Sequence, residues 1–184
     1  MSKPQAPKPA KLVIGMLMQD SGLFGEAAGK LSARFGGVDI ISAWLPFDYT
    51  SYYEKEMGAP LSRRLLAFKP LIQQDALADI KIMTNKLELA FCHQGKRQIN
   101  IDPGYLLLER FVLASGKNFA HRIYLGQGIY ADLTLIYRKG AFRELPWTYP
   151  DYADEPILGF LAQVRRKYRV DLIRLDRDAT DTCC

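Results

Sequence analysis

The residues best suited to chemistry gather between Asn100 and Tyr152. Asn100 and Asp102 precede Pro103-Gly104, and a turn there would present their side chains at a strand end, where functional groups are often held. His121 and Arg122 open one arm of a hairpin, and Asp132 and Thr134 lie on the other. An imidazole titrates near neutrality and suits general acid–base work. Arginine and tyrosine suit an anionic or planar ligand. The expected catalytic set is therefore Asp102, His121, Arg122 and Asp132. The expected ligand-binding set is Asn100, Tyr105, Tyr124, Tyr130, Thr134, Trp147, Tyr149 and Asp151.

The same residues also have structural accounts. Asp102 can bond its own following amides in a turn. Arg122 and Asp132 can form a cross-strand ion pair. Trp147 and Tyr149 can close over the core with their polar tips satisfied locally. His93 and His121 fall in no metal-ligand spacing, so no metal is expected, and no cofactor is assigned.

Around Gly126-Gln127-Gly128 a three-residue loop pairs Leu125 with Ile129, Ile123 with Ala131 and His121 with Leu133. That gives one apolar face and one polar face, the latter carrying Arg122, Tyr124, Tyr130, Asp132 and Thr134. A slip of one residue would mix the two sets. Gly25-Glu-Ala-Ala-Gly-Lys-Leu-Ser32 has the look of a phosphate loop. It has three residues where four must separate the glycines, and Leu31 stands where a hydroxyl must follow the lysine. A helical stripe also runs through it, which would leave no free amides to cradle phosphate.

The elements that must position these groups follow from periodicity. Lys11 to Met18 is a central strand; Asp20 and Ser21 cap a helix with Phe24, Ala27, Ala28, Leu31 and Phe35 on one face, stopped by Gly36-Gly37. Val38 to Leu45 is a second strand, Pro46 to Pro60 a polar-aromatic loop, and Leu61 to Leu71 a third strand or a short helix. Asp75 caps a helix with the stripe Ala76, Ile80, Met83, Leu87 and Phe91, and Cys92 reads as a small buried hydrophobe. Gln98 to Asp102 is a strand ending in a turn. Tyr105 to Ser115 is a helix or a strand. Strands over His121–Leu125, Ile129–Tyr137 and up to Leu145 follow. A last helix, capped by Asp154, carries Ile157, Phe160, Leu161, Val164 and Tyr168. The fold class is α+β: a ferredoxin-like βαββαβ order, then a β-hairpin extension and a C-terminal helix, with a single mixed or antiparallel sheet packed by helices. Residues 11–169 read as one domain between an extended tail (1–10) and a charged tail (170–184).

The 184 residues are 48% apolar, with three cysteines, and no apolar run reaches the roughly 20 residues of a membrane span. The Pro- and Lys-rich start lacks a signal-peptide core. A cytoplasmic protein without a membrane partner is expected. The net charge of +5 comes largely from Lys3, Lys8 and Lys11 and from Arg165, Arg166, Lys167 and Arg169. Cys183 and Cys184 have too little around them to read as a lipid anchor.

Phe47-Asp-Tyr-Thr-Ser-Tyr-Tyr-Glu54, Asn100-Ile-Asp-Pro-Gly-Tyr105, His121-Arg-Ile-Tyr-Leu-Gly-Gln-Gly-Ile-Tyr-Ala131 and Pro146-Trp-Thr-Tyr-Pro-Asp-Tyr152 resemble the signature stretches of an uncharacterised bacterial family, domain-of-unknown-function family 4416. The likeness covers roughly Lys11 to Tyr168. It implies a bacterial cytosolic protein and no established catalytic residues. Three functions are left open: a small-molecule or nucleotide-related enzyme or ligand-binding domain, an RNA-associated module using Tyr124, Tyr130, Arg138, Lys139 and Arg143, and a protein-interaction domain without catalysis.

Overall fold

The structure, a computed structural model, describes residues 1–181; Cys183 and Cys184 lie outside them. In chain order the elements are β1 (Ala10–Met18), α1 (Phe24–Phe35), β2 (Val38–Ile41), β3 (Leu45–Phe47), α2 (Glu54–Met57), β4 (Leu61–Ile72), α3 (Leu77–Ala90), β5 (Ile99–Leu106), β6 (Arg110–Ser115), β7 (Arg122–Gly126), β8 (Ile129–Arg138), β9 (Ala141–Glu144) and α4 (Glu155–Asp181). Among the described residues the strands form one open antiparallel sheet of nine, in the order β2-β4-β1-β5-β6-β8-β7. β3 also pairs with β4, and β9 with β8.

All nine residues of β1 are buried, because helices cover both faces of the sheet there. A strand covered on both sides need not alternate apolar with polar residues. On one face Leu12, Ile14, Met16 and Met18 pack with Ala27 and Leu31 of α1 and Ile80 of α3. On the other face Val13, Leu65 and Ala67 share a core with Ile157, Phe160, Leu161, Val164 and Tyr168, the expected stripe of α4. Burying each of the Val, Leu, Ile, Phe and Met side chains among these contributes about 1.5–3 kcal/mol. The expected α+β class and helical stripes of α1 and α4 are therefore seen.

Several boundaries differ from the sequence expectation. Val38–Leu45 is broken into β2 and β3, and Leu61–Ile72 is a strand, with no helix. The apolar run from Tyr105 to Ser115 is the end of β5 followed by β6. α3 is turned by about one residue from its expected stripe, so its buried positions are Leu77, Ala78, Ile80, Lys81, Thr84 and Glu88. Asp75 makes no capping bond to it, and Cys92, beyond its end, is exposed. α4 continues past Arg169 to Asp181. Lys11 is fully buried, its amine held by Asp39 and Asp171.

Candidate functional site

The expected turn at Asp102-Pro103-Gly104 does not form; β5 runs straight through it. Its place in the strand has a physical reason. β5 pairs with β1 along its whole length, yet with β6 only over Gly104–Leu106. Main-chain groups two residues apart point to the same side of a strand. Pro103 has no N–H to offer β6, and its neighbour on that side is Ile101. Where β6 is missing, α3 supplies the partners: Lys81 Nζ donates to Ile101 O at 2.7 Å, and Glu88 Oε1 accepts from Ile101 N at 2.7 Å. Gly104 sits where the two strands meet, and a Cβ there would stand 2.5 Å from Val112 O. The sheet thus forks between β5 and β6, with charged side chains at the base of the fork.

A cleft of about 610 Å³ opens on this fork. Its base carries Arg63 from β4, Lys81 and Glu88 from α3, Asn100 and Asp102 from β5, and Arg97. Asp102 accepts from Asn100 Nδ2 at 2.7 Å and lies 3.7 Å from Lys81 Nζ and 3.8 Å from Arg63 Nη2. Arg97 bonds Glu88 at 3.0 Å, Asn100 at 2.9 Å and Glu56 at 2.9 Å. Burial pushes the Glu88 carboxyl up, against the pull of Lys81, the Ile101 amide and Arg97.

Aromatic side chains form the walls. The segment after β3 brings in Tyr49, Tyr52 and Tyr53, and a short 3-10 helix, Pro150–Ala153, brings in Asp151 and Tyr152 behind Tyr149. Tyr49 OH donates to Asp154, and that bond pushes its phenol up to about 12. Burial, with Asp102 nearby, raises the Tyr53 phenol too. Asp151 Oδ2 is 2.7 Å from Arg63 Nη1, and burial pushes the Asp151 carboxyl up despite that cation.

The chain's hairpin closes the far wall. Arg122 faces Asp132, Ile123 faces Ala131 and Tyr124 faces Tyr130, as the two-face argument expects. The turn itself is shorter: Gly126 pairs with Ile129, a bulge falls at Leu125, and Gln127 and Gly128 both take positive φ (54° and 75°). That is the geometry a two-residue hairpin turn requires. The burial of the faces is the reverse of the simple expectation for β7. Arg122, Asp132 and Thr134 are buried, whereas Ile123 is 69% exposed. The polar face is inward because it borders the cleft, and Arg122 is satisfied there. Its guanidinium bonds Asp132 at 2.8 Å, Ser115 and Lys117 O at 2.9 Å, and Tyr149 OH at 3.1 Å.

Of the expected site residues, the cleft brings together Asn100, Asp102, Arg122, Asp132, Tyr149 and Asp151. His121 precedes β7 and does not line the cleft; it stacks between Phe119 and Trp147, with Nε2 3.4 Å from Asp132. The Trp147 indole donates to Leu133 O at 2.8 Å, the local partner its structural account requires. Tyr105 is in the core, and Thr134 bonds the Asp132 main chain. Tyr124 and Tyr130 pack on each other at the hairpin tip. Arg138, Lys139 and Arg143, which pairs with Ile136, lie toward the opposite end of β8 from Tyr130, roughly 20–25 Å away at strand rise, so they share no platform with Tyr124 and Tyr130. The sequence reading missed Arg63, Lys81, Glu88, Arg97, Tyr53 and Tyr152. The spacing of Lys81, Asn85 and Glu88 held a signal, since residues four and three apart share one helix face.

The family model named "Domain of unknown function (DUF4416)" matches residues 8–168, which carry every strand's pairing residues from Ala10 onward and the whole cleft. The chain belongs to the DUF4416 family. The comparison with curated proteins gave no match, and the comparison with solved structures gave none either. No helix among the described residues of this DUF4416 domain is long and apolar enough to cross a membrane.

Proposed function

We propose that the protein is a small-molecule enzyme whose cleft holds a polar, planar substrate, with Asp102 as the carboxylate that exchanges a proton with it. One observation carries this reading. Asp102, with its side chain 25% exposed, is the most open of the charged groups at the cleft base, while Arg63, Lys81 and Glu88 around it are at 10% or less. A group covered on every side but one can be positioned by its neighbours and still meet a ligand. The mixed polar base and aromatic walls fit the usual anatomy of small-molecule sites. Asp102 would take a proton from a substrate O–H or activated C–H, the electron pair staying on the substrate. The same scaffold supports a ferredoxin-like reading of the first half: strands ordered β2-β4-β1-β5 with α1 and α3 packed on one face.

The test is a thermal-shift and ligand-observed NMR screen of small metabolites against the wild type and Asp102→Asn. Compounds that bind the wild type should bind the folded variant at least tenfold more weakly, about 1.4 kcal/mol. Equal binding to both proteins would rule Asp102 out of the site.

A further inference from the structure

At one end of the cleft, three buried polar groups lack hydrogen-bond partners: Arg63 (Nε and Nη1), Asp151 (Oδ2) and Tyr152 (OH). Buried polar groups are nearly always paired, so three orphans at one spot call for an explanation. Arg63 is the extreme case. Its side chain is 5% exposed, and its guanidinium lies between the Phe47 and Tyr152 rings, 5.0 Å from each centroid. The rings fix its plane and offer no acceptor. The Asp151 oxygen at 2.7 Å is within ion-pair distance but outside hydrogen-bonding alignment, and Asp102 is at 3.8 Å.

The balance of donors and acceptors decides what is missing. Arginine carries five N–H donors and no acceptor, and lysine three donors. Lys81 makes one hydrogen bond, to Ile101 O. The Tyr152 hydroxyl stands over Gly15, where a Cβ would come within 3.1 Å of it. Against these donors stand the Asp151 oxygen, the Asp102 oxygen not bonded to Asn100, the Tyr152 hydroxyl's own lone pairs and, 3.8 Å from Lys81, a Glu88 oxygen that already accepts from the Ile101 amide. The excess of donors matches a group that only accepts. Burial also pushes Asp151 toward its protonated form, which would add one donor and remove one negative charge.

We propose that Arg63, with Tyr152 and Lys81 beside it, is an anion anchor that takes the carboxylate or phosphate of a small molecule whose planar body lies between Tyr53 and Tyr149. The proposal rests on the cleft being a ligand site and adds the chemistry of that ligand. A planar guanidinium held by two rings is preset for two parallel bonds to such a group.

Three probes that share one ring separate the cases: benzoate, phenyl phosphate and neutral benzamide, titrated by protein-observed NMR. Benzoate or phenyl phosphate should shift cleft resonances at least tenfold more tightly than benzamide, and whichever anion wins identifies the carboxylate or the phosphate as the source. Tyr152→Phe, which keeps the ring and removes the hydroxyl, should weaken the anion several-fold, and Arg63→Lys should weaken it further. Circular dichroism would verify that both variants are folded. Benzamide binding as well as the anions, or anion binding indifferent to Tyr152→Phe and Arg63→Lys, overturns the anchor. If benzamide binds equally and Asp102→Asn abolishes it, the anchor alone falls. If no probe binds in the cleft, the anchor falls, and the metabolite screen with Asp102→Asn decides the site separately.

Discussion

Lys81 and Glu88 occupy positions on α3 where apolar side chains would be expected, and they are there because Ile101 lacks a strand neighbour on its β6 side. A buried amide and carbonyl left unpaired would each cost about 1–3 kcal/mol, and these two side chains prevent that. Burial raises the Glu88 carboxyl, so the folded protein binds that proton more tightly than the unfolded chain does. The sign follows: the folded state is favoured while Glu88 is protonated, and stability falls as pH rises from the ordinary carboxylate range through the raised value. Glu88→Gln keeps an oxygen for the Ile101 amide and removes the titration. Urea unfolding from pH 4 to 8 should show wild-type stability declining relative to Glu88→Gln as pH rises; parallel profiles would refute the assignment. These residues were hard to see in the sequence for a related reason. Ile80 and Leu87 sit beside Lys81 and Glu88 and make a sufficient apolar stripe, so nothing in the periodicity demanded that the charges face inward. What turned them inward is a gap in a strand pair more than ten residues away.

At the scale of elements, Pro103-Gly104 shows how a turn signature can belong to a strand. Proline ends a ladder on one side only, and β5 keeps its other side paired with β1. Gly104 is required by contact: it lets β6 approach, and Val112 O occupies the space a Cβ would need. Gly104→Ala should therefore push β6 away from β5 and cost about 1–3 kcal/mol, as overpacking does. Because Leu113, Ala114 and Ser115 of β6 line the cleft, chemical shifts of those residues should move as well. A stable variant with unchanged β6 shifts would mean the fork is not held by this contact. The hairpin teaches the complementary lesson. Its register was legible because period-two alternation fixes which residues pair, and Arg122 with Asp132 does pair. Which face is buried was not legible, since that depends on loops from Tyr52 and Tyr149 that close over the polar side.

For the whole molecule, one buried ion cluster ties the beginning of the chain to its end. Lys11 on β1 is fully buried and bonds Asp39 on β2 at 2.6 Å and Asp171 on α4 at 2.8 Å; Lys167 joins Asp39 at 3.1 Å. Sequence reading placed Lys11 beside a solvated tail, because a lysine next to a Pro-Lys stretch gives no hint of partners 28 and 160 residues away. Burial alone would raise Asp39, but the hydrogen bonds from Lys11 and Lys167 outweigh it and hold the carboxyl below its usual 3.8. A depressed carboxyl contributes stability that is present above the unfolded value and lost as pH falls through the folded one. Lys167 behaves oppositely: burial would lower it, its bonds to Asp171 and Asp39 raise it, and its contribution is lost only as pH climbs past the ordinary lysine range. The cluster is therefore intact at neutral pH and fails in acid. Lys11→Met should cost about 3–5 kcal/mol at pH 7, since it removes the buried cation and leaves Asp39 and Asp171 to share Lys167 alone. Asp39→Asn should be less stable than the wild type at pH 7, and that gap should narrow at pH 3, below the ordinary carboxylate value, because stability held by a lowered carboxyl is lost as pH falls. Denaturant unfolding of the three proteins at both pH values checks this. A gap that stays constant would show that Asp39 acts through packing, and that the charge on Lys11 is neutralised by Asp171 alone.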